Sequence, residues 1–376
     1  MLIASAILTI FAYGLIAPIL GALLPTYSLN AGQEASLATL QAVGLVIASL
    51  LAGPLIDLKG NKISLLLGLA LIAGSLTAAP NAGGYSGLLA VYFILGFGGG
   101  IVVTGANSLA GAVDPARRGS VLNFLNLFFG LGSIITTYVA SENVDPGMVC
   151  YGIAALALVA LIVNASTKMP APAGEASFRP ADVPSLLGNP ALLLLCFFLF
   201  LYVACEVGVW NWLKRYLVTI NFDQSTAGHV VSYGFAFGIL LGRVVVSRIL
   251  FKVPALTVTL VASVLMVITM FATLQLRSTT AITIAVFCAG LSMAPVFPTT
   301  LAIVGDTFQR AAATALGVVI TCGWIGLVVS SKIIGKLAEG GNYHRGLLLI
   351  PAFAVLMILV NLVLRTVVRR PVTATA

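Results

Sequence analysis

Charge is what this sequence has least of. Only 8% of its 376 residues are Asp, Glu, Lys or Arg, against roughly 25% in an ordinary soluble domain. Hydrophobic residues make up 60% of the chain, and mean hydropathy is +1.11. No water-soluble fold hides so much apolar surface, so the solvent for most of the chain is expected to be lipid. Metal-binding and redox residues are also sparse. The two histidines, His229 and His344, fall near outer loops and cannot make a metal site between them. The five cysteines, Cys150, Cys196, Cys205, Cys288 and Cys322, lie in apolar runs without CxxC spacing. An odd number cannot pair fully, so they are expected as small core residues. No metal or other cofactor is expected. GxxxxGK[ST], HExxH and GxSxG are all missing. ATP-driven transport by this chain is thereby excluded, and intramembrane hydrolysis has no visible machinery, so an enzyme is not expected.

What the chain does have is long apolar runs of about 17–25 residues, each able to cross a hydrocarbon core of ~30 Å. Twelve are read: Leu2–Leu24, Leu37–Ile56, Ile63–Ala79, Gly87–Ala110, Val121–Ala140, Val149–Ala165, Pro190–Trp212, Ala227–Leu250, Leu256–Leu276, Ala281–Val304, Ala312–Lys332 and Gly346–Val368. The first lacks a basic n-region and a cleavage site, so it reads as a retained span and not a signal peptide. It starts with no tail before it, which raises the expectation of a misassigned start codon. Ser166–Leu187 is rich in Pro, Ala and charge and reads as a linker. The expected organisation is an N-terminal six-helix bundle over residues 1–165, a cytoplasmic linker over 166–189 and a C-terminal six-helix bundle over 190–376, as in transporters built from repeats.

The formal net charge of +8 would suggest nucleic acid in a soluble protein. Here the cations sit in short loops, where they set orientation, and no nucleic-acid partner is expected. With the N-terminus inside, the inner loops hold Lys59, Lys62, Arg117, Arg118, Lys168, Arg179, Arg248, Lys252 and Arg310, and the tail adds Arg365, Arg369 and Arg370. The outer loops of the first half carry only Glu34, Glu142 and Asp145. The second half is less clean, with Lys214, Arg215, Arg277, Lys336 and Arg345 outside. The first half decides, because early loops dominate topology. The expectation is a monomeric multi-pass protein of a cell membrane, the bacterial inner membrane, with both termini cytoplasmic.

Small and kinking residues recur inside the spans. Gly96 and Gly100, and Gly238 and Gly242, form GxxxG pairs that let helices approach closely. Pro18, Pro295 and Pro298 free backbone carbonyls, either as kinks in the packing or as hinges around a cavity.

A charged island, Gly53-Pro-Leu-Ile-Asp57-Leu-Lys59-Gly60-Asn-Lys62, separates the second and third runs. It resembles the G-x-L-x-D-x-x-G-x-K/R loop of the major facilitator superfamily. Gly53, Leu55, Asp57, Gly60 and Lys62 match, while Leu58 stands where Arg is usual. The resemblance implies an all-α membrane protein with twelve transmembrane helices in two bundles. Gly53, Asp57, Gly60 and Lys62 would gate it, with Asp57 pairing to a basic group or helix N-terminus of the other bundle.

Further segments resemble the fucose:proton symporter family. They are Phe200–Trp212 with Glu206, Trp210 and Tyr216; Gly242-Arg243 with Ser247-Arg248; Gly290–Thr300; and Gly105-Ala-Asn107 with Arg118, Asn123, Asn126 and Gly132. The resemblance implies a sugar-like solute. Two acids of that family's symporters are replaced by Gly21 and Val103, and a substrate-binding Gln by Asn123. The family's proton site is therefore in doubt, and Glu206 becomes the coupling candidate, for proton or sodium. Glu206 and Arg243 lie about 16 and 21 Å from the outer helix ends at ~1.5 Å per residue. A permanent structural bridge between them, a titrating or cation-binding Glu206, and direct solute bonding all remain open. Gln41, Asn107, Asn123, Asn126 and Asn211 could hydrogen-bond hydroxyls or simply bond neighbouring helices. Trp210 and Trp324 could face a sugar ring, whereas Trp212 reads as an interface anchor. The leading expectation is a secondary transporter of a small polar solute, a sugar. The alternatives are an exporter of amphipathic compounds or drugs, and a receptor or scaffold that does not transport.

Overall fold

The computed structural model describes residues 1–23, 27, 29–141, 144–170 and 183–368. Glu142, Arg179, Arg369, Arg370 and residues 171–182 of the expected linker lie outside the described residues. All regular structure among them is helical: α1 (Leu2–Ile16), α2 (Ile19–Leu23), α3 (Ala31–Lys59), α4 (Asn61–Ala78), α5 (Gly84–Val113), α6 (Arg118–Ser141), α7 (Pro146–Ser166), α8 (Val183–Leu187), α9 (Pro190–Thr219), α10 (Gln224–His229), α11 (Ala236–Ile249), α12 (Ala255–Gln275), α13 (Thr279–Met293), α14 (Val296–Thr307), α15 (Ala312–Leu337), α16 (Tyr343–Leu347) and α17 (Leu349–Val367). Eleven helical stretches are long and apolar enough to span a bilayer. The remaining crossing is α1 continued by α2, which together make twelve. An even number of crossings puts both termini at one end, here called the termini end.

Three crossings expected as continuous helices are interrupted. The first breaks at Ala17–Pro18, where proline has no N–H to continue the ladder. The tenth breaks at Ala294–Pro295 into α13 and α14. The eighth carries a π-helical segment, Val230–Phe235, between α10 and α11. The linker region also holds one short helix, α8.

Capping side chains set the other boundaries. Asn30 and Gln33 form a reciprocal capping box at the start of α3. Asp145, Asn189 and Asp223 accept backbone N–H bonds at the starts of α7, α9 and α10. Each satisfies donors that a helix start leaves open. Between α3 and α4, Gly60 adopts φ 85°, a backbone setting that glycine tolerates and most residues do not. That single residue reverses the chain.

Within the first half, α3 packs on α5, α4 on α5 and α7, and α1 on α6; within the second, α9 packs on α15 and α17, and α12 on α13 and α17. The GxxxG pairs sit at such contacts. Gly96 lies against the Gln41 carbonyl, and a Cβ on Gly100 would come within 2.5 Å of the Leu45 carbonyl. A Cβ on Gly242 would come within 2.5 Å of the Ala294 methyl. Across the halves, α3 meets α15, and α6 meets α11 and α14. These crossings carry the functional residues.

Candidate functional site

Asp57 sits at the termini end of α3 and is 8% exposed. It accepts three hydrogen bonds from the start of α15: Ala313 N at 3.3 Å, Thr314 N at 2.8 Å and Thr314 Oγ1 at 2.6 Å. A helix N-terminus favours an anion through its open N–H groups and its dipole. The carboxylate of one half therefore locks onto a helix start of the other. Gly53, one turn earlier, lets α3 reach α15, since a Cβ there would fall 2.5 Å from the Ala313 carbonyl oxygen and Thr314 Cα. Lys62 stays within its own half, donating from Nζ to the Thr167 carbonyl at 3.3 Å.

A second clasp lies beside this one. Arg118, at the start of α6, pairs with Asp306 near the end of α14 at 2.6 Å. Its Nε donates to the Gly111 carbonyl at 2.8 Å. Gly305 lies under the guanidinium, where a Cβ would come within 2.9 Å of Arg118 Nη1. Arg117 stacks over the Phe251 ring at 5.2 Å. Between the two clasps is a cavity of about 170 Å³ whose lining includes Asp57, Asn107, Arg118 and Gly305.

Deeper in the membrane the amides form a buried network. Asn126 Nδ2 donates to Asn107 Oδ1 at 2.9 Å, and Asn107 Nδ2 to the Val103 carbonyl at 2.8 Å. Asn123 Nδ2 reaches Thr299 Oγ1 across the halves at 3.0 Å. Arg243 of α11, 4% exposed, donates from Nη1 to the Asn126 carbonyl at 2.5 Å. Trp324 Nε1 donates to Ser49 Oγ at 3.3 Å, and Thr321 Oγ1 to the Val46 carbonyl at 3.4 Å. These cross-half bonds fall at the middle of their crossings or nearer the termini end.

A sequence profile of the Major Facilitator Superfamily matches residues 2–331. The chain belongs to that superfamily. This facilitator is therefore a multi-pass membrane transporter and not an enzyme. Among curated proteins it is 24% identical over 360 residues to the 3-(3-hydroxy-phenyl)propionate transporter of Escherichia coli (strain K12), covering 90% of this chain and 85% of that one. Among solved structures it is similar to a point variant of the E. coli fucose:proton symporter, with TM-score 0.83, 17% identity and coverage of 96% of this chain and 98% of that chain. The fucose symporter in its outward conformation gives TM-score 0.83 at 18% identity, covering 98% and 99% of the two chains. A proton:xylose symporter bound to 6-bromo-6-deoxy-D-glucose gives TM-score 0.75 at 14% identity, covering 98% and 95%.

The facilitator brings Asn107, Asn123, Asn126 and Arg243 together, but the amide donors are spent on one another, on Thr299 and on backbone. Asn211 is exposed and donates to Ser331 on α15 at 3.2 Å. Gln41 is half-buried, its carbonyl against Gly96. Trp210 is 39% exposed, with Phe235 edge-on at 5.1 Å. Trp212 packs against Tyr343 and under Arg215. Glu206 is half-buried, and a bridge to Arg243, one of the three arrangements the sequence leaves open, is not formed: among the described residues the ion pairs within 4.0 Å are Arg117–Asp114 and Arg118–Asp306. Sequence reasoning does not single out Asp306, although it is one of few acids and lies just past the end of a span, which is a usable signal.

Proposed function

We propose that this facilitator moves a small polar solute, a sugar, by alternating access coupled to a cation. The observation that carries the reading is the one-sided closure. Cross-half bonds at Asp57, Arg118, Asn123 and Arg243 gather toward the termini end, as expected of two bundles that rock around a midplane site. The moving bodies are residues 1–165 and 190–376. The sugar reading draws on the likeness to fucose and xylose symporters and on the matching motifs around Glu206 and Arg243. Coupling falls to Glu206, because an ionisable group at membrane depth marks an ion or solute path. The protein acts as a monomer in the bacterial inner membrane with its termini in the cytoplasm.

A second reading is favoured by one relative and one cavity. The curated relative carries a hydroxyphenyl propionate. A cavity of about 600 Å³ between α6 and the eighth crossing is lined by Ile134, Tyr233, Phe237, Ile284 and Phe287 among others. An amphipathic compound would suit it.

Counterflow in proteoliposomes tests both readings, using labelled sugars, sugar alcohols and aromatic acids with and without proton and sodium gradients. The sugar reading expects exchange of a hexose, pentose or sugar alcohol, and exchange of aromatic acids alone replaces it with the second. Glu206→Gln is expected to lose gradient-driven accumulation and keep exchange. Unchanged accumulation removes Glu206 from coupling.

A further inference from the structure

α9 and α15 pack together within the second half. Both start at the termini end, so they run parallel. Glycine fixes their register. Gly326 of α15 lies against the Phe200 carbonyl, and a Cβ on Gly208 of α9 would come within 2.9 Å of Ile334 Cδ1. The two pairs have the same spacing in sequence, as parallel helices require. Cys196 and Cys322 have that spacing too, one turn before Phe200 and Gly326. Between these levels a Cβ on Gly323 would lie 3.4 Å from Leu199 Cδ2. The register therefore sets the two cysteines side by side, and their thiols are hydrogen-bond partners. Both are free; Cys196 is 7% exposed and Cys322 is half-buried.

The opposite face of α15 meets the other half. At about 3.6 residues per turn, Cys322, Gly323 and Gly326 point to α9, whereas Gly317, Thr321 and Trp324 meet α3. On the α3 side the bonds are long: Thr321 Oγ1 to the Val46 carbonyl at 3.4 Å and Trp324 Nε1 to Ser49 Oγ at 3.3 Å. Protein hydrogen bonds centre near about 2.7–3.0 Å, so these two tolerate little further separation.

We propose that Cys196 and Cys322 form an oxidation site, and that a disulfide there draws α15 onto α9 and off α3, loosening the closed termini end. A peroxide is the oxidant. Cys322, the more exposed thiol, takes one oxygen from hydrogen peroxide to become a sulfenic acid, and one water leaves. The Cys196 thiol then displaces the hydroxyl from that sulfur, which forms the S–S bond and releases a second water. Two thiols lose two electrons, and both peroxide oxygens end as water. An S–S bond is shorter than any contact between two thiols, so its closure shortens the α9–α15 distance at this level. Gly326, already against the Phe200 backbone, is the pivot. The part of α15 before it, with Thr321 and the start that holds Asp57, tilts away from α3. The device does not depend on which solute is carried.

The test uses the full chain in proteoliposomes without solute, treated with hydrogen peroxide until the exposed Met148 is converted to its sulfoxide. Peptide mass mapping is expected to find Cys196 linked to Cys322, with three of the five thiols left free. Cys196→Ser and Cys322→Ser should each keep all four of their thiols, and either one serves as the control if the other fails to fold. Backbone hydrogen exchange is then compared before and after oxidation. Peptides covering 46–60 and 312–324 are expected to exchange about three- to tenfold faster in the oxidised wild type, as the loss of one or two cross-half bonds predicts. A thiol reductant should restore the slow rate, and the serine variants should not respond to peroxide. No linked pair at that dose overturns the site. A linked pair with unchanged exchange overturns the loosening. Faster exchange in a serine variant assigns the effect to methionine and overturns it as well. No readout involves a solute, so these outcomes are separate from success or failure of the sugar reading.

Discussion

Asp57 shows how much one side chain can carry in a chain with so few charges. Its three bonds all come from the opposite half, so on the proposed rocking mechanism they would break when the termini end opens. Hydrogen bonds to an ionised group contribute about 1.5–3 kcal/mol each when both partners are in place. Asp57→Asn keeps one acceptor oxygen and loses the charge. The expected outcome is a roughly ten- to hundredfold shift toward states open at the termini end, read by thiol-reagent access to a cysteine placed there. Transport should slow with little change in solute affinity, and a large affinity loss would contradict a gating role. The island around Asp57 was legible in the sequence because charge next to glycine stands out in lipid. A helix N-terminus of the other half was one of its two expected partners, but which helix was not legible, because Thr314 N and Ala313 N are backbone groups with no residue signature.

Arg118 and Asp306 make the complementary case. Their bond is short, but the Asp306 side chain is 56% exposed and Arg118 12%, so salt screens the pair. Arg118→Gln and Asp306→Asn are each expected to shift the same accessibility assay only about two- to fivefold, within the ~0.2–1 kcal/mol of exposed pairs. The effect should shrink in high salt, whereas the Asp57 effect should not. A salt-independent loss would mean that Arg118 acts through its bond to the Gly111 carbonyl instead.

At the scale of helices, glycine position separates stability from mechanism. Gly96 faces Gln41 within one half, whereas Gly53 faces Ala313 and Thr314 across the halves. If the two halves rock as proposed, Gly96→Ala forces apart two helices of one moving body, so it is expected to lower the thermal midpoint. Gly53→Ala forces apart helices that the proposed rocking would separate in each cycle. It should leave the midpoint closer to wild type while raising cysteine access at the termini end. Gly74, with nothing within 4 Å of a Cβ, serves as the neutral control. The GxxxG spacing announced close packing but not which helix lay opposite, since spacing encodes one surface only. Helix number was legible from apolar run length. The interruptions were legible in part. Pro18 and Pro295 mark two of them, while the π segment at Val230–Phe235 has neither Pro nor a charge to announce it.

Over the whole molecule, the hydrogen bonds that cross the halves between α3 and α15, α6 and α11, and α6 and α14 lie at the middle of their crossings or toward the termini end, and this asymmetry could not be read from sequence. Apolar periodicity and loop charge fix which residues enter the membrane, but not which of two packings the halves adopt, because both bury similar surfaces. The asymmetry can be tested by fixing it. Val46 and Thr321 approach across α3 and α15 through the Thr321 Oγ1 bond to the Val46 carbonyl. A short thiol-reactive cross-linker between Val46→Cys and Thr321→Cys, in a chain whose five native cysteines are replaced, ties the halves together where they already touch. Turnover is expected to stop and to return when a cleavable linker is reduced. Solute binding from the far end should persist while the link holds, because only the termini end is tied. Cross-linking that leaves turnover intact would mean that this contact survives the transport cycle, and the rocking bodies would then have to divide the chain elsewhere than between α7 and α9.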